Sequence, residues 1–211
     1  MIGATTDMFY EFAILTTSVS HTLLAVPGVR GYLAADEARG RLVGCWRSEF
    51  GPQNRLIVLR EFETREDLDT ERRRGLMSSN PFGCGEYLQG LSMESHAPFP
   101  NLPPVDTGRL GPVYEFRSYI LKTAGLPETL DAWSVMLPKR TKLSPLVIAM
   151  YALDGAPRFT HIWAYPSWDD RMSIRAEALR QSVWPPSSAP HTLTPTMVSE
   201  VYLPTEISPL Q

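Results

Sequence analysis

The sequence is poor in cysteine and in the motifs that cysteine supports. It has 2 cysteines, Cys45 and Cys84, which form neither a Cys-x-x-Cys pair nor a spacing typical of a metal site. Structural zinc sites need closely spaced cysteine and histidine ligands, and disulfides persist mainly in oxidising compartments. We therefore expect reduced thiols, a cytoplasmic location and no bound metal.

Long apolar runs and an excess of basic charge are absent as well. No stretch approaches the roughly 18 apolar residues of a membrane-spanning helix, and the N-terminal residues lack the basic and apolar segments of a secretory signal. The formal net charge is −3, whereas nucleic acids and anionic lipid surfaces are bound by basic patches. We therefore expect neither a membrane nor a nucleic acid as partner.

Glycine-rich phosphate loops and nucleophile elbows are missing too. The chain contains no P-loop, no Gly-x-Gly-x-x-Gly and no Gly-x-Ser-x-Gly. This argues against the usual nucleotide cofactors and against hydrolysis by a serine triad. What the chain does have is 43% hydrophobic and 20% charged residues, a composition typical of a globular protein with a real core.

The same order of predicted strands and helices occurs twice along the chain. Residues 9–12, Phe-Tyr-Glu-Phe, recur as Val-Tyr-Glu-Phe at residues 113–116, and the helix-start signature at 64–67 recurs at 167–170. Each half predicts the order β-α-β-β-α-β, which is the ferredoxin-like unit. Because one such unit leaves a sheet face bare, two can cover each other. We predict an α+β fold in which two fused ferredoxin-like halves form a pseudo-dimeric α+β barrel.

Proline marks the joint between the two predicted halves. Residues 97–112 contain five prolines and two glycines, which is typical of a linker stiffened by polyproline-like segments. We therefore divide the chain into a first half at residues 1–96, a linker at 97–112 and a second half at 113–211.

Two predicted strands of the second half, residues 113–121 and 158–165, carry polar and aromatic side chains on one face. This face consists of Glu115, Arg117, Tyr119, His161, Trp163 and Tyr165. Burying an ion beneath packed helices costs several kcal/mol, so we expect the face to look into the barrel and to surround a cavity. Apolar walls with a few convergent polar groups are typical of small-molecule sites.

The second half resembles the NIPSNAP family in its motifs. These are Tyr-Glu-Phe-Arg-Ser-Tyr at residues 114–119, His-Ile-Trp-Ala-Tyr at 161–165 and the Ser-x-x-Asp-Arg helix start at 167–171. The resemblance implies membership of the dimeric α+β barrel superfamily. Its members include cofactor-free monooxygenases of polyketide-like phenols, haem-degrading oxygenases, lactone isomerases and proteins without known chemistry. A fold shared by such different proteins does not settle the function.

Three residues of this face are candidates for catalysis. His161 suits a general acid or base because the ordinary pKa of histidine lies near neutrality. Arg117 can hold an enolate, phenolate or carboxylate oxygen, and Glu115 can orient Arg117 or move protons itself. The alternative is that Glu115 and Arg117 form a structural ion pair and that His161 is a core residue.

Five further residues are candidates for substrate binding, namely Tyr119, Trp163, Tyr165, Glu11 and Arg60. Trp163 and Tyr165 could stack on a planar substrate or belong to the core. The first half keeps the glutamate but has Ala13 and Val58 where the second half has Arg117 and His161. The sequence therefore predicts an asymmetric site, to which Arg60 could add positive charge from the opposite sheet.

The leading hypothesis is a cofactor-independent enzyme that acts on a planar, oxygenated, polyketide-like or aromatic small molecule. Oxygenation, isomerisation and cyclisation all fit this pattern. The main alternative is a non-catalytic ligand-binding or interaction protein with a packed barrel interior. A third reading is a haem protein with His161 as axial ligand. The expected partners are a small-molecule substrate and, in a homodimer, a second copy of the chain.

Overall fold

The computed structural model describes residues 8–186 and 188–211, and eight of its strands close into a single barrel. The first six major elements are β1 (Phe9–Thr17), α1 (Val26–Leu33), β2 (Arg41–Phe50), β3 (Arg55–Phe62), α2 (Arg65–Met77) and β4 (Leu88–Pro98). The remaining elements are β5 (Val113–Leu121), α3 (Gly125–Arg140), β6 (Leu146–Ala152), β7 (Arg158–Tyr165), α4 (Trp168–Arg180), α5 (Ala189–Thr192) and β8 (Leu193–Pro204).

The strand order around the barrel is β1-β3-β2-β8-β5-β7-β6-β4, and the neighbouring strands are antiparallel. Each half thus contributes four adjacent strands, β4-β1-β3-β2 and β8-β5-β7-β6, in the ferredoxin-like order. The halves meet at two seams, where β2 pairs with β8 and β4 pairs with β6. The predicted α+β barrel of two ferredoxin-like halves is confirmed.

Helices α2 and α4 begin at the hydroxyl side chains that the sequence indicates. Thr64 Oγ1 accepts from the amide of Asp67 at 3.1 Å, and Ser167 Oγ accepts from the amide of Asp170 at 3.0 Å. These bonds satisfy amides that have no partner within the first helical turn. The sequence therefore places the start of both helices correctly.

The segment between β4 and β5 and the C-terminal tail close one end of the barrel. Val105 and Leu210 are buried in the same apolar cluster as the barrel interior. The amides of Leu110 and Gly111 donate to the carbonyl of Gln211 at 2.8 and 3.0 Å. Strand β4 runs to Pro98, so the predicted linker begins inside the barrel wall rather than outside it.

The barrel interior is filled by large apolar side chains from both halves. Its aromatic members are Tyr10, Phe12, Trp46, Tyr114, Phe116 and Tyr202. Both cysteines are free and buried. Within the described part of the chain, no helix is long and apolar enough to cross a membrane.

The polar face of β5 and β7 packs beneath helices, and our expectation that it looks into the barrel is wrong. Tyr119, Trp163 and Tyr165 share an apolar cluster with Trp133 and Leu137 of α3. The expectation rested on the cost of burying charge, and it ignored the counter-charges that a helix can supply. Here α4 supplies them.

His96 lies at the seam between β4 and β6, where it is fully buried. Its ring meets the ring of Phe12 edge-on at 6.1 Å, and neither ring nitrogen has a hydrogen-bond partner among the described residues. Burial, aided by the positive charge of Arg158, lowers the pKa of His96 to about 4. The folded chain therefore holds this imidazole neutral.

We expect the protein to lose stability as the pH falls from about 6.5 towards about 4, because the unfolded chain protonates His96 before the folded chain does. Linkage predicts a loss of about 2 kcal/mol between about pH 7 and about pH 5 from this group. Urea unfolding at the two pH values measures it.

In the same measurement, His96→Gln should lose less stability on acidification than the wild type. His191→Gln, at an exposed position, should behave like the wild type. An identical pH dependence in His96→Gln and the wild type would contradict this assignment.

Candidate functional site

A cavity of about 770 Å³ lies between the sheet of the second half and its helices, outside the barrel. Strands β5 and β8 form one side, α3 and α4 form the walls, and the segment around α5 lies across it. The aromatic lining consists of Tyr119, Trp133, Phe159 and Trp184, and the cationic lining of Arg117, Lys122, Arg140 and Arg175. Among the described lining residues none is acidic.

Helical spacing explains how α3 and α4 reach this cavity. Trp133 and Arg140 are seven residues apart on α3, and Arg171 and Arg175 are four apart on α4, so each pair lies on one helix face. The indole of Trp133 packs edge-to-face against Trp184 with ring centroids 4.7 Å apart. The helices thus bring an aromatic wall and several guanidinium groups against the sheet.

Glu115 is fully buried beneath α4, and its carboxylate accepts several hydrogen bonds. Arg117 Nη1 and Arg171 Nη2 each donate to its carboxylate at 2.6 Å, Ser199 Oγ donates at 2.8 Å, and Tyr165 Oη donates at 3.3 Å. Burial alone would raise the pKa of Glu115, but Arg117 and Arg171 lower it to about 2. The carboxylate is therefore ionised and fixes the two arginines, which is not the state of a general base near neutral pH.

Arg117 and Tyr119 lie side by side on the cavity wall. Arg117 Nε donates to the hydroxyl oxygen of Tyr119. Burial raises the pKa of Tyr119, although the charge of Arg117 opposes this shift. The hydroxyl therefore keeps its proton, and it can donate that proton in a hydrogen bond to a group in the cavity.

His161 lies one layer behind the cavity wall. It is fully buried, and its Nδ1 accepts from the indole Nε1 of Trp163 at 2.6 Å. Its ring is surrounded by those of Tyr119, Trp133, Phe159 and Trp184, with centroids 4.8 to 6.0 Å away. Burial, with the charge of Arg117, lowers the pKa of His161 well below its ordinary value. This neutral imidazole is not placed to exchange a proton with a molecule in the cavity.

A haem held by histidine does not fit this arrangement. An axial histidine has to reach the iron from the cavity wall through an unprotonated nitrogen, whereas His161 lies behind the aromatic lining. Because its Nδ1 accepts from Trp163, the proton of the neutral ring is on Nε2. No histidine among the described residues lines the cavity. Within the same part of the chain, no three His, Cys, Asp or Glu side chains cluster as metal ligands would.

Trp163 and Tyr165 also lie behind the wall and do not line the cavity. The guanidinium carbon of Arg140 lies 4.1 Å from the ring centre of Trp163. Arg140 Nη2 donates to the hydroxyl of Tyr165 at 3.3 Å. The two residues thus pack in the core and contact Arg140 and Glu115. This is the core role that the sequence analysis held open beside stacking on a substrate.

A sequence comparison identifies the family of this half. The NIPSNAP family model matches residues 114–209, which include the Glu115 network and most of the cavity lining. Residues 114–209 belong to the NIPSNAP family. Over 169 residues the chain is also 27% identical to the protein NipSnap homolog of Dictyostelium discoideum, a match that covers 78% of this chain and 75% of that protein.

Solved structures share the whole barrel with this chain. An anthrone oxidase-like protein superposes with a TM-score of 0.68 at 13% identity, covering 97% of this chain and 94% of that one. A chlorite dismutase variant from Candidatus Nitrospira defluvii superposes with a TM-score of 0.57 at 10% identity, covering 93% and 92%. At such low identity the likeness shows a common fold and nothing more.

Glu11 and Arg60 lie outside the NIPSNAP domain and do not line its cavity. Arg60 Nε donates to Glu11 at 3.2 Å, and its other nitrogens bind Glu11 and Glu71 of α2. Arg74 of α2 donates to Glu71 at 2.9 Å. The charges of two glutamates and two arginines thus balance in the first half. The structure does not bring Arg60 to the predicted site.

Sequence reasoning missed four residues that the NIPSNAP cavity uses, namely Trp133, Arg140, Arg175 and Trp184. For Trp133 and Arg140 a signal was present, since the two lie on one face of a predicted helix. Arg175 likewise follows Arg171 at helical spacing. Trp184 lies in a loop, for which no periodicity could have indicated its position.

Glu115→Gln should lower the free energy of unfolding by about 3 to 5 kcal/mol, because the partly buried Arg117 and Arg171 would lose the buried carboxylate that balances their charge. Urea unfolding at neutral pH measures this loss. Since the pKa of Glu115 in the folded chain is about 2 and its ordinary value is 4.5, its contribution is present above about pH 4.5 and lost as the pH falls through 2.

A matched control is Asp69→Asn, which removes the partner of Arg65 in an ion pair that is about half exposed. It should cost less than about 1 kcal/mol. Similar small losses in both variants would show that Glu115 does not hold the arginines in place.

Proposed function

We propose that this chain is an enzyme that acts on a planar, oxygenated small molecule in the cavity of its NIPSNAP domain, without a cofactor. The observation that carries the proposal is the pair formed by Arg117 and Tyr119. Both side chains present donors on the wall of a cavity that is otherwise lined largely by aromatic and aliphatic groups.

The shape and lining of the cavity suit a flat ring system. Its volume of about 770 Å³ lies in the usual range for sites of small molecules. Trp133 and Trp184 stand nearly perpendicular to each other, at an interplanar angle of 86°. Their faces and edges offer stacked and edge-to-face contacts to an aromatic ligand.

The chemistry that this pair supports is the stabilisation of a negatively charged oxygen. Glu115 orients Arg117 before a ligand arrives. The donors of Arg117 therefore need no rearrangement as negative charge develops on the oxygen of an enolate or phenolate. Tyr119 supplies an additional hydroxyl donor. The proton that leaves carbon to form the enolate passes to water, because the described lining residues include no carboxylate or histidine that could accept it. The enolate is electron-rich at carbon, and it can then react with dioxygen, shift a double bond or close a ring. His161 acts in this scheme as a core residue and not as the base.

The fold supports a first substrate for testing. The chain has the barrel of an anthrone oxidase-like protein, and an anthrone is a flat ketone that forms an enolate. In its oxidation, anthrone and dioxygen give anthraquinone and water. Two hydrogens leave the ring carbon, one oxygen atom becomes the new carbonyl, and the other becomes water.

We expect the purified chain to consume one dioxygen per anthraquinone formed when anthrone is supplied in the presence of a metal chelator. Arg117→Met and Tyr119→Phe should each reduce the rate by about 100-fold, the usual cost of removing an oxyanion donor. An oxygen electrode together with the absorbance of anthraquinone measures both quantities.

The matched control is Arg180→Met, which removes an exposed arginine of α4 outside the cavity. Its rate should equal that of the wild type. If Arg117→Met and Tyr119→Phe kept the wild-type rate, the assignment of this cavity would be wrong.

Non-catalytic binding of the same class of molecule is the second candidate function. It is favoured by one observation: no histidine, cysteine, aspartate or glutamate lies among the described lining residues. A binding protein would quench the fluorescence of Trp133 and Trp184 on addition of anthrone, without any uptake of dioxygen above the rate of the buffer alone.

A further inference from the structure

We propose that Arg140 is the anchor for a carboxylate on the ligand, which makes a planar aromatic acid the class of molecule that this cavity takes. This inference rests on the proposed function, and it adds an anionic contact separate from the donors of Arg117 and Tyr119. It follows from the surroundings of Arg140, which differ from those of the buried Arg60 and of the partly buried Arg117 and Arg171.

Arg140 is a buried guanidinium group with no carboxylate partner among residues 8–186 and 188–211. Only 2% of the residue is exposed, although its side chain lines the cavity. Its nitrogens donate to two neutral oxygens, Ser144 Oγ at 2.8 Å and Tyr165 Oη at 3.3 Å. Nε is buried and has no partner in the described part of the chain. Burial lowers the pKa of this arginine.

The other buried arginines are paired. Arg60, the other fully buried arginine, binds two glutamates in the first half, and the partly buried Arg117 and Arg171 bind Glu115 in the second. An unpaired buried charge costs several kcal/mol, and arginine does not escape this cost by losing its proton. The protein therefore holds Arg140 in a state that an added anion would stabilise.

A ligand bound in the cavity can supply that anion. Arg140 and Arg175 both line the cavity, and no described lining residue is acidic. Arg175 Nη1 is 3.9 Å from Glu115, which two other arginines already bind at shorter distance. Around this cavity one carboxylate thus faces four guanidinium groups, and the surplus charge is positive.

Stacking on Trp163 favours a carboxylate as the anion. The guanidinium of Arg140 lies over the indole at 4.1 Å, which fixes the side chain against a rigid aromatic surface. A guanidinium held in this way presents parallel donors that match the two oxygens of a carboxylate. The aromatic rings of the cavity can then contact the flat body of the same molecule.

Two probes of matched shape test this inference: an anthraquinone monocarboxylate and the corresponding carboxamide. Titration calorimetry gives their dissociation constants. The wild type should bind the carboxylate at least about tenfold more tightly than the carboxamide, as expected for hydrogen bonds to a charged partner. Arg140→Met should remove this preference by weakening carboxylate binding far more than carboxamide binding, whereas Arg140→Lys should keep part of it.

Thermal unfolding of the same variants separates an anchor from a structural residue. Because none of the described residues supplies a counter-charge to Arg140, Arg140→Met should unfold at the same temperature as the wild type or at a higher one. Arg180→Met serves as the control for the loss of a surface arginine, and it should retain the full preference for the carboxylate.

Three outcomes would overturn the inference. If the preference for the carboxylate survived in Arg140→Met, another group would be the anchor, and the cavity would still be a ligand site. A large loss of thermal stability in Arg140→Met would show that the guanidinium serves the fold. If the wild type bound neither probe, the proposed function itself would fail, and this inference with it.

Discussion

The paired charge of Glu115 is the interaction on which the second half of the barrel depends. Its carboxylate is fully buried and yet ionised, because Arg117 reaches it along β5 and Arg171 reaches it from α4. The same contacts join the helix to the sheet and direct the guanidinium of Arg117 toward Tyr119. Without this carboxylate, the polar face of β5 would present only positive charge to the arginines of α4, and the two surfaces would repel each other.

The two halves share an order of elements but differ in how their buried charges balance. In the first half the negative charges of Glu11 and Glu71 balance the positive charges of Arg60 and Arg74 between the sheet and α2. In the NIPSNAP half, Glu115 is the single carboxylate among four arginines, and a cavity lies next to the surplus positive charge. This difference is the physical basis for placing a site in one half only.

The location of the cavity follows from the packing of the barrel. Aromatic side chains from both halves, among them Trp46, Tyr114 and Phe116, fill the interior. Space for a ligand is found instead between the sheet and its helices, where Trp133 and Trp184 form the wall. That separation lets the barrel serve as a rigid support while the helices shape the site.

By itself, the sequence determined the local elements and the architecture. Strand alternation, the capping residues Thr64 and Ser167 and the repeated Tyr-Glu-Phe motif are local signals, and they were enough to predict the α+β barrel. It also indicated Arg117 and Tyr119, which share a strand face. Only the tertiary structure decided that this face lies beneath the helices, that His161 lies behind the cavity wall and that no carboxylate of the described residues pairs with Arg140. These depend on contacts between residues distant in sequence, whose charges and volumes no single strand or helix specifies.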